Sequence, residues 1–108
     1  MLRLIDLKSA LLQSRSPQQW QVTGRLAEAQ QDWEIAADCF LTAAGLDATN
    51  ANLRWRASKA LLRVNRFTEA MREINRALRK SPGSAAYIRT KEAIHAAMAK
   101  AEGLSKPL

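Results

Sequence analysis

Residues 33–46 read WEIAADCFLTAAGL, and residues 67–80, which lie 34 positions further along, read FTEAMREINRALRK. Both segments consist largely of helix-forming residues. Trp33 corresponds to Phe67 across this step. The same step joins three further pairs of small or apolar residues: Ala36 and Ala70, Phe40 and Ile74, Ala43 and Ala77. A fixed period of 34 residues predicts two copies of one structural unit, at residues 17–50 and 51–84.

Capping signals divide each unit into two helices. Ser16, followed by Pro17 and by Gln19, is a typical start of a helix. Asn50 and Ser84 stand at the matching positions of the later units, so we expect them to cap the helices that follow. The sequence therefore predicts short turns between helices at residues 17–30, 33–46, 52–64 and 67–80.

The segment before the first unit matches the second half of a unit. Shifting back by 34 positions places Asp6 where Phe40 stands in the first unit. We therefore expect residues 1–16 to form an N-terminal capping helix. Leu4 and the neighbouring leucines would pack on the helix that begins at Pro17, and Asp6 would face away from any partner helix.

The segment after the second unit matches the first half of another unit. Residues 85–103 are expected to form a C-terminal capping helix in which Ile88 and Ile94 cover the preceding pair and Glu92 faces water. Gly103 is the expected end of this helix. The sequence thus predicts a single all-α domain over residues 1–103, with about six antiparallel helices, and a tail over residues 104–108.

The repeat pattern resembles the tetratricopeptide repeat (TPR) family over most of the chain. Trp20, Thr23 and Gly24 are similar to the opening motif of that repeat, and Gly24 and Ser58 stand where the family brings two helices close together. Pro82 stands at the turn between repeats. The resemblance implies an α-α superhelix in which the first helices of successive units line a concave groove that binds an extended or helical peptide.

Projection onto that groove places basic and polar side chains around a tryptophan. Arginine binds carboxylates through two parallel hydrogen bonds, and tryptophan offers a large rigid contact. We therefore predict an acidic, partly apolar peptide or partner segment as the ligand, and a role as an interaction scaffold, adaptor or small chaperone. The candidate peptide-binding residues are Gln21, Arg25, Asn52, Trp55, Arg56, Lys59, Arg63 and Arg89.

Charge is unevenly distributed along the chain, whose net charge is +7. Residues 1–50 contain 4 Lys and Arg against 6 Asp and Glu, whereas residues 51–108 contain 13 against 4. Such asymmetry favours an anionic partner. Nucleic-acid binding is one alternative, although we do not expect it because no ladder of aromatic residues suits base stacking. A homo-oligomer formed through the half-units at the two ends is another alternative.

Residues that could carry catalysis are scarce. His95 is the only histidine, and its place in the register predicts a partly buried packing residue. Cys39 is the only cysteine and is expected to be a small structural thiol. No phosphate-binding loop, metalloprotease motif or nucleophile elbow occurs. We therefore expect a protein that is not an enzyme, has no cofactor or metal, has no membrane-spanning segment and resides in the cytoplasm.

Overall fold

The computed structural model describes Leu4, Asp6 and residues 16–105, with only the backbone described for Leu104 and Ser105. Residues 16–105 form five helices joined by connections of three or four residues. These helices are α1 (Pro17–Ala29), α2 (Trp33–Leu46), α3 (Ala51–Arg63), α4 (Phe67–Lys80) and α5 (Ala85–Ser105). The predicted bounds of the first four helices agree to within one residue. The last helix was expected to end at Gly103 and continues to Ser105.

The helices stack in chain order. α1 packs against α2 and α3 against α4, while α3 also packs against α2, and α5 packs against α4 and α3. Short connections make consecutive helices antiparallel neighbours. The predicted all-α, TPR-like superhelix is confirmed by this arrangement, in which each pair shares its core with the next.

The buried core follows the 34-residue register. Ala36, Ala43, Ala70 and Ala77 are completely buried, as are the larger side chains Phe40 and Ile74. Alanines let the helix backbones approach closely, and the large side chain one turn away fills the space that remains. In these three pairs, the residue of the first unit is therefore as completely buried as its counterpart in the second.

Gly24 marks the closest approach between α1 and α2. A Cβ atom at this position would lie 2.9 Å from Cε1 of Phe40 and 3.0 Å from its Cζ. The ring of Phe40 is fully buried in a packed core, so it can shift only by displacing its neighbours. The small residue that the sequence placed at this crossing is therefore required by the Phe40 ring.

Two of the three predicted caps form as expected. The Ser16 Oγ accepts a hydrogen bond from the Gln19 N–H at 3.4 Å, and the Ser84 Oγ accepts one from the Tyr87 N–H at 3.3 Å. Asn50 does precede α3, but its side chain makes no capping hydrogen bond, so the prediction for Asn50 is wrong in this respect. Asp32, expected only as a turn residue, caps α2 by accepting from the Ile35 N–H.

The turn within each unit contains one residue in the left-handed region. These residues are Gln31, with φ of 59°, and Asn65, with φ of 63°, and they lie one repeat apart. After each of them the backbone N–H bonds back to the preceding helix, Asp32 to the Ala27 carbonyl and Arg66 to the Leu61 carbonyl, both at 2.9 Å. Both α1 and α3 thus end in the Schellman arrangement.

Arg66 links the two units at the start of their second helices. Its guanidinium donates to both carboxylate oxygens of Glu69, at 2.9 and 2.7 Å, and to Glu34 at 3.2 Å. The hydrogen bonds from Arg66 lower the pKa of Glu69 and raise the pKa of Arg66 above its ordinary value. This contact joins the first turn of α4 to the first turn of α2.

The N-terminal capping helix can be assessed at two positions. Leu4 is helical and buried, and Asp6 is helical and half-buried. The burial of Leu4 agrees with the predicted packing of this segment. The other residues of the predicted helix over 1–16 lie outside the described residues, as do residues 106–108 of the predicted tail.

The C-terminal half-repeat differs from its prediction at two residues. Ile94 is completely buried and Glu92 is exposed, as expected. Ile88, however, is 40% exposed, and His95 is exposed rather than a packing residue. Arg54, the counterpart of Ile88 in the second unit, bonds to Glu73 of α4, and Leu61, the counterpart of His95, is completely buried. No described helix follows α5 to cover the matching face. Cys39, in contrast, is buried and makes no disulfide, as expected.

Candidate functional site

A groove lies between α3 and α5, the first helices of the second unit and of the C-terminal half-repeat. It encloses about 340 Å³. Four side chains from each helix line it: Trp55, Lys59, Leu62 and Arg63 from α3, and Ala86, Arg89, Thr90 and Ala93 from α5. The structure therefore brings together four of the eight predicted residues, namely Trp55, Lys59, Arg63 and Arg89.

Trp55 forms one wall of this groove and is half-buried. Its indole N–H donates to the Thr90 Oγ at 2.9 Å, and the Thr90 hydroxyl donates in turn to the Ala86 carbonyl at 3.0 Å. The ring of Tyr87 packs on it at 5.7 Å between centroids. Trp55 was expected to face the groove, and α5 holds it in place there because its polar atom and part of its ring have partners. A fixed aromatic wall loses little entropy when a ligand packs on it.

Lys59 lies over the exposed face of the Trp55 indole. Its ammonium nitrogen is 3.7 Å from the ring centroid, a favourable cation–π geometry. Burial against the ring lowers the pKa of Lys59, while the negative charge of Glu28 opposes this shift and the positive charge of Arg56 adds to it. The ammonium is thus partly desolvated before any ligand arrives.

Arg63 and Arg89 complete the positive edge of the groove, and both are exposed. The Arg63 guanidinium stacks over the ring of Trp33 at 4.9 Å, which ties it to α2. Within the part of the chain that the structure describes, no carboxylate lies within 4.0 Å of Lys59, Arg63 or Arg89. Among the described residues, three positive charges therefore border one groove with no carboxylate at ion-pair distance.

Two further predicted residues lie beside the groove and are occupied by other contacts. The Arg56 guanidinium donates to Glu28 at 3.0 Å and to the side-chain oxygen of Asn52 at 3.1 Å. It also lies 5.8 Å from the centre of the Phe40 ring. Arg56 thus connects α3 to α1, and much of its charge is compensated within the protein. Its predicted availability to a ligand is correspondingly reduced.

The last two predicted residues lie on α1 and do not line the groove. Gln21 is half-buried, and Arg25 is exposed beside a separate hollow of about 300 Å³ with Val22 and Leu26. Both apolar neighbours are largely exposed. The eight predicted residues therefore do not line one hollow: four line the α3–α5 groove, and Arg25 lines the separate hollow on α1.

The candidate list left out four residues that also line the groove: Leu62, Ala86, Thr90 and Ala93. Leu62 follows Lys59 by three positions, so it shares a helix face with it. Thr90 lies one repeat after Arg56, and Ala93 lies one repeat after Lys59. The register could have identified these positions as groove-facing. It could not show that Thr90 would accept the indole proton of Trp55.

No described helix is long and apolar enough to cross a membrane. Among the described side chains, no group of three His, Cys, Asp or Glu could hold a metal ion.

The stacked antiparallel pairs, with first helices facing a groove, define an all-α helical repeat protein of TPR-like fold. Solved structures of MamA share it. A structure of MamA AMB-1 superposes with a TM-score of 0.77 at 23% identity, over 93% of this chain and 55% of that one. A structure of MamA MSR-1 superposes with a TM-score of 0.76 at 22% identity, over 93% of this chain and 58% of that one. A third MamA structure superposes with a TM-score of 0.75 at 12% identity, over 89% of this chain and 53% of that one.

At these identities the likeness concerns the fold, and the chain spans a little over half the length of the MamA chains. No protein-family model and no curated protein matches the sequence.

Proposed function

We propose that this protein is a non-enzymatic interaction scaffold whose α3–α5 groove binds an acidic, partly apolar segment of a partner protein. The observation that supports this most is the convergence of Lys59, Arg63 and Arg89 at one groove with a fixed tryptophan wall. Positive groups at the edge of an apolar floor favour a ligand that combines carboxylates with an apolar side chain.

The floor of the groove supports the apolar part of this ligand. Leu62, Ala86 and Ala93 offer aliphatic surface, and the methyl-sized side chains of α5 leave room for a side chain of the ligand. An apolar group that enters this space would pack against the Trp55 ring. Buried aromatic residues at the centre of an interface are frequent hot spots.

The rim supports the acidic part. Arg89 is exposed, and the Lys59 ammonium is partly desolvated, so a carboxylate that reaches both would gain interactions stronger than those of a fully hydrated pair. Arg63 can provide a bidentate contact while its plane remains stacked on Trp33. These contacts select an acidic segment over a neutral one.

The test is a titration of the full chain with three short peptides. The first contains two Glu flanking a Leu, the second replaces the Leu by Ser, and the third replaces both Glu by Gln. We expect the first peptide to bind about tenfold more tightly than either of the others, since each loses an interaction worth about 1.4 kcal/mol. Equal binding of the first two peptides would show nonspecific charge attraction instead.

Matched variants locate the binding. Arg89→Gln removes a charge from the groove, and Arg72→Gln removes the same charge from an exposed position on α4 that does not line it. We expect Arg89→Gln to weaken binding of the first peptide severalfold and Arg72→Gln to change it by less than about twofold. The proposal fails if both variants weaken binding equally.

A further inference from the structure

We propose that a second basic pocket, formed where the C-terminal end of α4 meets the connection between α2 and α3, binds a compact oxyanion such as phosphate or diphosphate. The pocket encloses about 190 Å³. It shares no lining residue with the α3–α5 groove. Its lining consists of Ala48, Ala51, Arg54, Arg76, Arg79 and Lys80.

A buried carboxylate organises this pocket. Glu73 is 3% exposed, and its two oxygens accept from the Arg54 guanidinium at 2.8 Å and from the Arg76 guanidinium at 3.2 Å. Each arginine has five N–H groups, so each retains donors beyond the one given to Glu73. Glu73 therefore fixes two guanidinium groups at the pocket. Its one negative charge compensates only one of their two positive charges.

The remaining cations come from the last turn of α4. Arg79 and Lys80 are exposed there, where positive side chains also suit the helix dipole. The helix dipole explains why Arg79 and Lys80 suit the last turn of α4. It does not explain Arg54, which reaches the pocket from α3 with only 17% of its side chain exposed. Four positive groups therefore line a small concavity, and two of them, Arg54 and Arg76, are paired with Glu73.

The backbone at the start of α3 adds to this arrangement. Ala51, the first residue of α3, lines the pocket, and the first turn of α3 contains no acidic residue. The Asn50 side chain makes no capping hydrogen bond to this turn. The positive end of the α3 dipole therefore adds to the field of the arginines, while the negative end of α4 at the same pocket is offset by Arg79 and Lys80.

The composition of the lining selects the class of ligand. Apart from the aliphatic stems of its arginines and lysine, its apolar lining is limited to Ala48 and Ala51, and no aromatic ring is among the lining residues. An extended peptide has nothing to anchor its apolar side chains here. Planar guanidinium groups instead match the geometry of phosphate oxygens through paired hydrogen bonds. A small ion with two or more negative charges is the ligand that fits.

Calorimetric titration of the full chain with sodium diphosphate tests this inference, with the ionic strength held constant by sodium chloride and inorganic phosphate titrated separately. We expect diphosphate to bind with a dissociation constant of about 1 mM or tighter, and phosphate more weakly. Absence of binding at about 10 mM diphosphate overturns the inference.

Charge-matched variants distinguish a built pocket from general attraction. Arg79→Gln removes a lining cation, whereas Arg72→Gln removes an equal charge from the same helix outside the pocket. Arg79→Gln should weaken diphosphate binding about tenfold, since it removes a charge-assisted contact, and Arg72→Gln should leave it within about twofold. Equal weakening by the two variants means that the anion responds to net charge alone, which also overturns the inference.

Discussion

Gly24 and Gly45 are two helical glycines with opposite surroundings. A Cβ at Gly24 would clash with the Phe40 ring, whereas a Cβ at Gly45 meets no atom within 4 Å. Neither residue has a positive φ, so alanine is conformationally permitted at both. The difference between the two sites is therefore one of packing, and it isolates the contact on which the α1–α2 crossing depends.

We expect Gly24→Ala to destabilise the protein by about 1–2 kcal/mol, because overpacking outweighs the helix propensity gained by alanine. Gly45→Ala should stabilise it by about 0.5 kcal/mol, because propensity alone acts near the end of α2. Urea unfolding of the two variants measures both free energies. A stabilised Gly24→Ala variant would contradict the close approach.

We expect the ligand affinity of the groove to depend on pH through the ammonium group of Lys59. Burial against Trp55 lowers its pKa from the ordinary value of 10.5, with Glu28 opposing the shift and Arg56 adding to it. A bound carboxylate would raise that pKa again, so binding takes up a proton at alkaline pH. Affinity is then full below the folded-state pKa of Lys59 and is lost as pH rises through it. The stability of the free protein changes the opposite way, because above this pKa the unfolded chain binds more protons.

We expect affinity for an acidic peptide to fall severalfold between about pH 7 and about pH 10, mainly through Lys59. Peptide titrations across this range measure the profile. Lys59→Met keeps the aliphatic stem over the Trp55 ring and removes the titrating group, so its profile should be flatter. An equally steep profile in Lys59→Met would assign the effect to other groups.

At the scale of the element, the repeat register accounts for most of what the sequence predicted correctly. Helix bounds, the Ser16 and Ser84 caps and the buried pairs follow from local patterns, which depend on residues near one another in the chain. The Arg56–Glu28 ion pair joins residues 28 positions apart, and Trp55 and Thr90 are 35 apart. Such contacts depend on distances between helices that a repeat period does not specify, so the sequence could not show that only four of the eight candidate residues line the α3–α5 groove.

The turn within each unit contains a left-handed backbone conformation that the sequence did not predict. Gln31 and Asn65 both adopt the left-handed conformation that favours glycine. Asparagine tolerates this conformation better than glutamine does. Gln31→Gly should therefore stabilise the protein by about 0.5–1 kcal/mol, and Asn65→Gly by less. Thermal unfolding of both variants gives the order; a larger gain at Asn65 would contradict this account.

α5 offers a matched pair of isoleucines. Ile94 is completely buried, and Ile88 is 40% exposed because no described helix follows α5. We expect Ile94→Ala to cost about 2–4 kcal/mol and Ile88→Ala less than about 1 kcal/mol. Chemical denaturation measures both values. A large loss at Ile88 would show that another element or a second copy of the chain covers this face, as the homo-oligomer alternative requires.

Over the whole molecule, positive charge gathers on two distinct surfaces. The positive excess of residues 51–108 is concentrated at two places that share no lining residue, the α3–α5 groove and the pocket beside α4. The sequence predicted the excess and assigned much of it to one groove, because helical projection cannot show which charges are compensated. Glu28 pairs with Arg56 from the predicted groove, and Glu73 pairs with Arg54 and Arg76 at the second pocket.

The central claim, that a partner segment occupies the α3–α5 groove, is tested most directly by NMR. The indole N–H resonances of the three tryptophans report on three locations: Trp20 in the core, Trp33 beneath Arg63, and Trp55 in the groove wall. On addition of the acidic, leucine-containing peptide, we expect the Trp55 signal to move most, the Trp33 signal less, and the Trp20 signal to stay in place. A bound peptide that leaves the Trp55 resonance unchanged would contradict the claim.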